Sequence, residues 1–196
     1  MRPSAAYLAT GFLTYLPVRL LFRLRWRGLE HVPREGGAVL AANHTSNLDP
    51  WPLGLPLFPR RFLRFMAKSE LYWAPFKYFL DAAGAFPVRR GEGDVEAIRT
   101  AVELCRSGQI VVMFPEGTRR RKGLRKKWEA RSHTGAARIA HEAGVPLVPA
   151  AISGADRLAR LGPLRVAYGP PVEAGDDPVE TTERLMAAIN ELEATL

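Results

Sequence analysis

Apolar and polar positions change period several times along the chain. From Phe22 to Arg27 they alternate, with Phe22, Leu24 and Trp26 on one side and Arg23, Arg25 and Arg27 on the other. This predicts a half-buried strand. AVLAAN, after Gly36-Gly37, and QIVVMF (109–114) are short apolar runs that predict buried strands. RFLRFMA (61–67), Phe86 to Arg89, PLVPAAI (146–152) and LRVAYG (164–169) are further strand candidates. Helical segments lie between them: Pro75 to about Ala83 with Gly84 past its end, Asp94 to Arg106 closed by Gly108, and Thr134 to Ala143 followed by Gly144. A last helix opens on Asp177 as cap, with Pro178 in its first position and Glu180 at its third. Strands alternating with helices, without internal repeats or long linkers, predict a layered α/β fold.

Three polar clusters directly follow predicted strands, where open α/β sheets place their chemistry. The first is Asn43-His44-Thr45-Ser46-Asn47-Leu48-Asp49-Pro50. His44 and Asp49 would point apart on one helix, so they meet only across a turn, which Thr45-Ser46-Asn47 can supply. Asp49 before Pro50 resembles the cap of a short helix. A histidine oriented by a carboxylate is a general base, and positioned proton transfer is worth roughly 10²–10⁴-fold in rate. Taken alone, the pair fits a strand-end histidine beside a helix cap better than it fits a base. The second cluster is Phe114-Pro115-Glu116-Gly117-Thr118-Arg119-Arg120, where glycine admits close backbone approach and arginine suits phosphate. The third is Gly84-Ala85-Phe86-Pro87-Val88-Arg89-Arg90, which delivers an arginine at a strand end. Together they describe one site that activates a hydroxyl beside a bound phosphate.

Composition narrows the classes. The chain has 196 residues, 47% apolar and 24% charged, which fits one globular domain and excludes a disordered chain. One cysteine excludes an internal disulfide framework and a cysteine-built metal site. The formal charge of +8 predicts an anionic partner: nucleic acid, lipid surface or phosphorylated substrate. That charge is local. Residues 1–27 hold five arginines and no acid, and residues 119–131 hold eight basic residues against Glu129. The apolar stretch from Ala5 to Val18 is shorter than the roughly 20 residues a spanning helix needs, and no small-residue cleavage site follows it. It reads as a helix at a membrane interface with its arginines toward anionic headgroups. No nucleic-acid-reading element is present, so nucleic acid is not an expected partner.

These motifs resemble the glycerolipid acyltransferase family, specifically the 1-acyl-glycerol-3-phosphate (lysophosphatidate) acyltransferases, over roughly residues 20–170. NHxSxxD stands as Asn43 to Asp49, a loose second motif as Gly84 and Phe86 to Arg89, FPEGTR as Phe114 to Arg119, and VPxxP as Val145 to Pro149. The resemblance implies a mixed, largely parallel central sheet flanked by helices. It implies a membrane-associated helix over residues 1–20 and a single acyltransferase domain over 21–196. By it, His44 is the base and Asp49 its partner. Arg89 and Arg119 bind the acceptor phosphate, while Asn43, Ser46, Glu116, Gly117 and Thr118 contact substrate. Val145, Pro146 and Pro149 line the acyl region. The implied acceptor is lysophosphatidate and the donor acyl-CoA or an acyl carrier protein, with no metal or other cofactor. The implied location is the cytoplasmic face of the cell membrane, peripheral or monotopic. Glycerol 3-phosphate or another lyso-lipid is the alternative acceptor, and a non-catalytic binder of anionic lipid the remote alternative. Thioester attack develops an oxyanion, and backbone N–H groups near Asn43-His44 or Gly117 are its candidate donors. Arg90 stands where many relatives carry an acid.

Other residues divide more simply. His31 and His141 read as structural, His133 as a capping or surface residue with contact to a phosphate as the alternative, and Cys105 as a buried thiol. The dense aromatics Tyr72, Trp73, Phe76, Tyr78 and Phe79 fit an acyl-lined or interfacial surface as well as they fit core packing.

Overall fold

The unbroken apolar runs form the centre of a seven-stranded sheet. The computed structural model describes residues 5–88, 94–117 and 133–196. Its strands are β1 (Arg25–Arg27), β2 (Ala38–Ala42), β3 (Leu63–Lys68), β4 (Ala85–Val88), β5 (Ile110–Met113), β6 (Leu147–Ser153) and β7 (Arg165–Tyr168). Its helices are α1 (Ala5–Leu21), α2 (Pro50–Gly54), α3 (Phe76–Ala82), α4 (Asp94–Arg106), α5 (Gly135–Ala143) and α6 (Pro178–Ala194). The strand order is β1-β7-β6-β2-β5-β3-β4. The five strands from β6 to β4 are mutually parallel; β7 runs antiparallel to β6, and β1 parallel to β7. The sheet is therefore mixed and largely parallel, as the family resemblance implies.

Both faces are covered, which is why the central strands carry no polar alternation. The period of two sends Ala38, Leu40 and Ala42 of β2 to one face, where they pack with Val18 of α1, Leu53 of α2 and Ile152 of β6. Val39 and Ala41 face the other way, against Val102 of α4, Ile139 of α5 and Leu185 of α6. A Cβ at Gly37 would collide with the Cys105 carbonyl, so glycine is what lets the end of α4 lie against the start of β2.

Several boundaries move. The alternating run from Phe22 yields only a three-residue strand, because Arg23 takes φ 47° in the turn after α1 and breaks the extended path. α6 starts as its sequence predicts: the Asp177 carboxylate accepts from the N–H groups of Val179 at 2.7 Å and Glu180 at 3.4 Å. α1 runs three residues past Val18 to Leu21 and passes through Pro17.

Candidate active site

Parallel strands deliver their C-terminal ends to one edge of a sheet, and β2 delivers the first polar cluster there. Asn43, just past β2, is fully buried. Its amide donates to the Ile152 carbonyl at 3.0 Å and accepts from the Ile152 N–H at 2.8 Å. The side chain thus prolongs the β2–β6 pairing. The side chain is turned into the sheet and has no exposed surface.

His44 follows and turns toward Asp49. Its Nδ1 lies 2.8 Å from Asp49 Oδ2, with the carboxylate fully buried and the imidazole 17% exposed. Oδ2 also accepts the backbone N–H of Thr45 at 2.6 Å and of Ser46 at 2.8 Å, and Oδ1 accepts the Thr45 hydroxyl at 3.0 Å. A carboxylate surrounded by donors leaves Nδ1 to donate as well, so Nε2 is the acceptor. The cap expectation for Asp49 is corrected here. Asp49 occupies the position before α2 with φ −52° and ψ −38°, but its side chain makes no capping bond to that helix. It reaches backward and closes the turn that holds His44. Ser46 belongs to this turn by its backbone, and its hydroxyl accepts the Leu48 N–H at 3.2 Å.

β5 delivers the second cluster beside the first. The Phe114 ring stacks on the His44 imidazole, with centroids 4.1 Å apart and planes 18° from parallel. The chain then turns over Pro115 and the partly buried Glu116, and the Gly117 N–H donates to the Phe114 carbonyl at 2.9 Å. Gly117 sits at φ 66°. Its N–H is already committed, so it is not the free oxyanion donor expected there. The N–H groups of Thr45 and Ser46 are likewise held by Asp49.

His133 joins this turn, which the sequence did not reveal. Its N–H donates to the Pro115 carbonyl at 2.9 Å. Its imidazole occupies the space a Gly117 Cβ would need. The ring therefore belongs beside the FPEG turn, and the signal was its place immediately before α5. β3 also ends at this edge, with Lys68 in register with Val88.

Arg89, Thr118, Arg119 and the basic segment 120–131 lie outside the described residues. The fourth motif begins at the other end of the sheet from the His44 turn. Val145 and Pro146 precede β6, at the opposite end of the parallel sheet from His44. Pro146 is five residues before Ala151, which is level with Asn43 in the β2–β6 register, and so lies roughly 17 Å away along the strand. Pro149 faces a groove lined by Arg27, Gly169 and Leu192. These residues set β6 and its packing under α6 and do not adjoin the His44 turn. Among the described residues no group of three or more His, Cys, Asp or Glu side chains is placed to hold a metal ion.

The arrangement is an oriented imidazole, walled by an aromatic ring, with a second turn beside it. It can take a proton from a hydroxyl brought to Nε2. The family model described as Acyltransferase matches residues 23–153. The chain is 32% identical over 166 residues to a 1-acyl-sn-glycerol-3-phosphate acyltransferase of Bacillus subtilis, covering 83% of this chain and 80% of that protein. It is 28% identical over 145 residues to a chloroplastic 1-acyl-sn-glycerol-3-phosphate acyltransferase of Arabidopsis thaliana, covering 72% of this chain and 39% of that one. In fold it is similar to the crystal structure of the 1-acyl-sn-glycerophosphate acyltransferase PlsC from Thermotoga maritima, with a TM-score of 0.71 and 24% identity over 96% of this chain and 78% of that one. The match to the family model spans well over half of the chain and takes in both the His44–Asp49 turn and the FPEG turn: the chain belongs to the Acyltransferase family.

Proposed function

We propose that the protein transfers a fatty acyl group from an acyl thioester, on coenzyme A or acyl carrier protein, to the 2-hydroxyl of 1-acyl-sn-glycerol 3-phosphate. The products are phosphatidate and a free thiol. The observation that carries this reading is the 2.8 Å contact of His44 Nδ1 with a fully buried Asp49 carboxylate, which frees Nε2 for the substrate hydroxyl. The activity for which its relatives are named supports the choice of acceptor.

In this mechanism Nε2 takes the hydroxyl proton as the oxygen attacks the thioester carbonyl. Asp49 stabilises the imidazolium that forms. The tetrahedral intermediate collapses, the C–S bond breaks, and the departing sulfur takes the proton from His44. Arg89 and Arg119 hold the acceptor phosphate, while Glu116, Gly117 and Thr118 shape the glycerol pocket. The thioester carries the activated acyl group, so no metal is required. We place the reaction at the cytoplasmic face of the cell membrane, where a lyso-lipid acceptor resides.

The test is thiol release from an acyl thioester with lysophosphatidate, for the native chain and His44→Ala. The variant is expected to lose at least about 10³-fold in turnover. Equal turnover in both would remove His44 from the mechanism. Turnover with glycerol 3-phosphate alone would move the acceptor assignment to the unacylated compound.

A further inference from the structure

The aromatic segment before and within α3 divides into an inward and an outward set. Tyr72 turns in against Ala67, Leu80 and Ala85, and burial pushes its hydroxyl up to about 12. Trp73, Tyr78 and Phe79 are each about three-fifths exposed or more. The outward rings form a row: Trp73 stacks with Phe76 at 6.1 Å and Phe76 with Phe79 at 5.6 Å. Lys77 sits 5.1 Å over the Tyr78 ring.

α1 lies beside α3 and has the same character. Its inner side holds Gly11 and Val18 against the body, whereas Phe12, Leu13, Leu16, Leu20 and Leu21 are all more than half exposed. A helix apolar on every side belongs in an apolar surrounding. Soluble monomers rarely expose contiguous apolar patches beyond a few hundred Å². Among the described residues no helix is long and apolar enough to cross a membrane. Such a face lies along an interface instead of passing through it.

We propose that the α3 aromatic row is a second membrane-seating element, which together with the outer face of α1 docks the protein on an anionic lipid bilayer. Charge selects this occupant. α1 contains no acid and carries the exposed Arg19, the exposed Arg23 and Arg25 follow it, and on α3 the exposed Lys77 and Asp81 balance, so the net basic charge of this face comes from the arginines. A second copy meeting this face by two-fold symmetry would bring the same basic rim against itself. An anionic bilayer presents the complementary sign, and rings with one polar edge suit its headgroup level. The docked face also connects to the site. Trp51 Nε1 on α2 donates to Thr14 Oγ1 on α1 at 3.2 Å, and α2 follows Asp49 directly. Leu48, inside the His44–Asp49 turn, is about half exposed. Seating α1 and α3 therefore brings the catalytic turn to the lipid surface. This deepens the proposed function by naming how a lipid acceptor is reached, but it is read without turnover.

The experiment is flotation of the full chain with phosphatidylcholine vesicles, with and without a quarter of phosphatidylglycerol. The exposed double variant Trp73→Ser/Phe79→Ser is expected to partition about tenfold or more weakly than the native chain. Arg23→Gln/Arg25→Gln is expected to lose binding only to the anionic vesicles, and raised salt should do the same. His44→Ala should bind like the native chain, which separates failure of docking from failure of the acyl-transfer reading. Native-like flotation of the aromatic double variant overturns the proposal. A lipid-free dimer that the same variant dissociates also overturns it, by assigning the face to a second copy.

Discussion

The Asp49 carboxylate accepts four hydrogen bonds while fully buried: one from the His44 ring, two from backbone N–H groups and one from the Thr45 hydroxyl. Two substitutions separate its roles. In Asp49→Asn the amide oxygen can keep the three bonds at Oδ2, with the NH₂ turned to the Thr45 hydroxyl, but the charge is gone. Turnover should fall roughly 10²–10⁴-fold with little change in the urea midpoint. In Asp49→Ala the partly buried Thr45 and Ser46 N–H groups lose their acceptor, at about 1 kcal/mol each, so the midpoint falls together with turnover. Parallel urea titrations and thiol-release assays check both, and an unchanged kcat in Asp49→Asn would show the charge to be dispensable. The residue types and spacing of this pair were legible in the sequence. The direction of the Asp49 side chain was not, because an acid before Pro50 carries the same signature whether it caps forward or reaches back.

Elements were legible in proportion to how local their signals are. Asp94–Arg106 and the start at Asp177-Pro178 match their expected limits because a helix and its ends are written within a few residues. The strand order and the reversed β7 were not readable, since apolar runs carry no record of which strand pairs with which. The fourth motif shows the same gap: VPxxP names residues, and only the direction of β6 places Pro146 at the far end of the sheet. The sideways bonding of Asn43 was not legible for a related reason, because a polar residue at a strand end carries no record of the strand beside it. This yields a prediction at the level of the β2–β6 pairing. Asn43→Leu leaves the Ile152 N–H and carbonyl without their side-chain partner, at about 1–3 kcal/mol each. The urea midpoint should fall accordingly, and whatever fraction remains folded should retain the acceptor KM. A raised acceptor KM with an unchanged midpoint would return Asn43 to substrate binding.

At the scale of the whole molecule, two effects oppose each other as the solution turns alkaline. The formal charge of +8 falls toward zero near the sequence pI of about 10.1, which relieves surface self-repulsion and favours the folded chain. The core acts the other way. Burial pushes the Cys105 thiol from 9.0 up to about 12 and the Tyr72 hydroxyl from 10.0 up to about 12, and it raises Tyr168 and Tyr7 as well. The folded chain keeps these protons while the unfolded chain releases them, so their contribution is complete below about pH 9 and is lost as pH rises toward 12. Salt distinguishes the two, because it screens exposed charges and hardly affects buried protonation. In high salt, the thermal midpoint should therefore begin to fall near pH 9. Cys105→Ala should delay that onset to about pH 10, where the tyrosines of the unfolded chain start to ionise. Cys105, on α4, is 1% exposed and packed against β2, so a thiol reagent at pH 8 should modify it only as fast as the core opens, with a rate that climbs through the urea transition. If the variant keeps the native onset near pH 9, or if the native thiol reacts at once, then the α4 side of the sheet is not the closed core that holds the strand ends, and with them His44, in place.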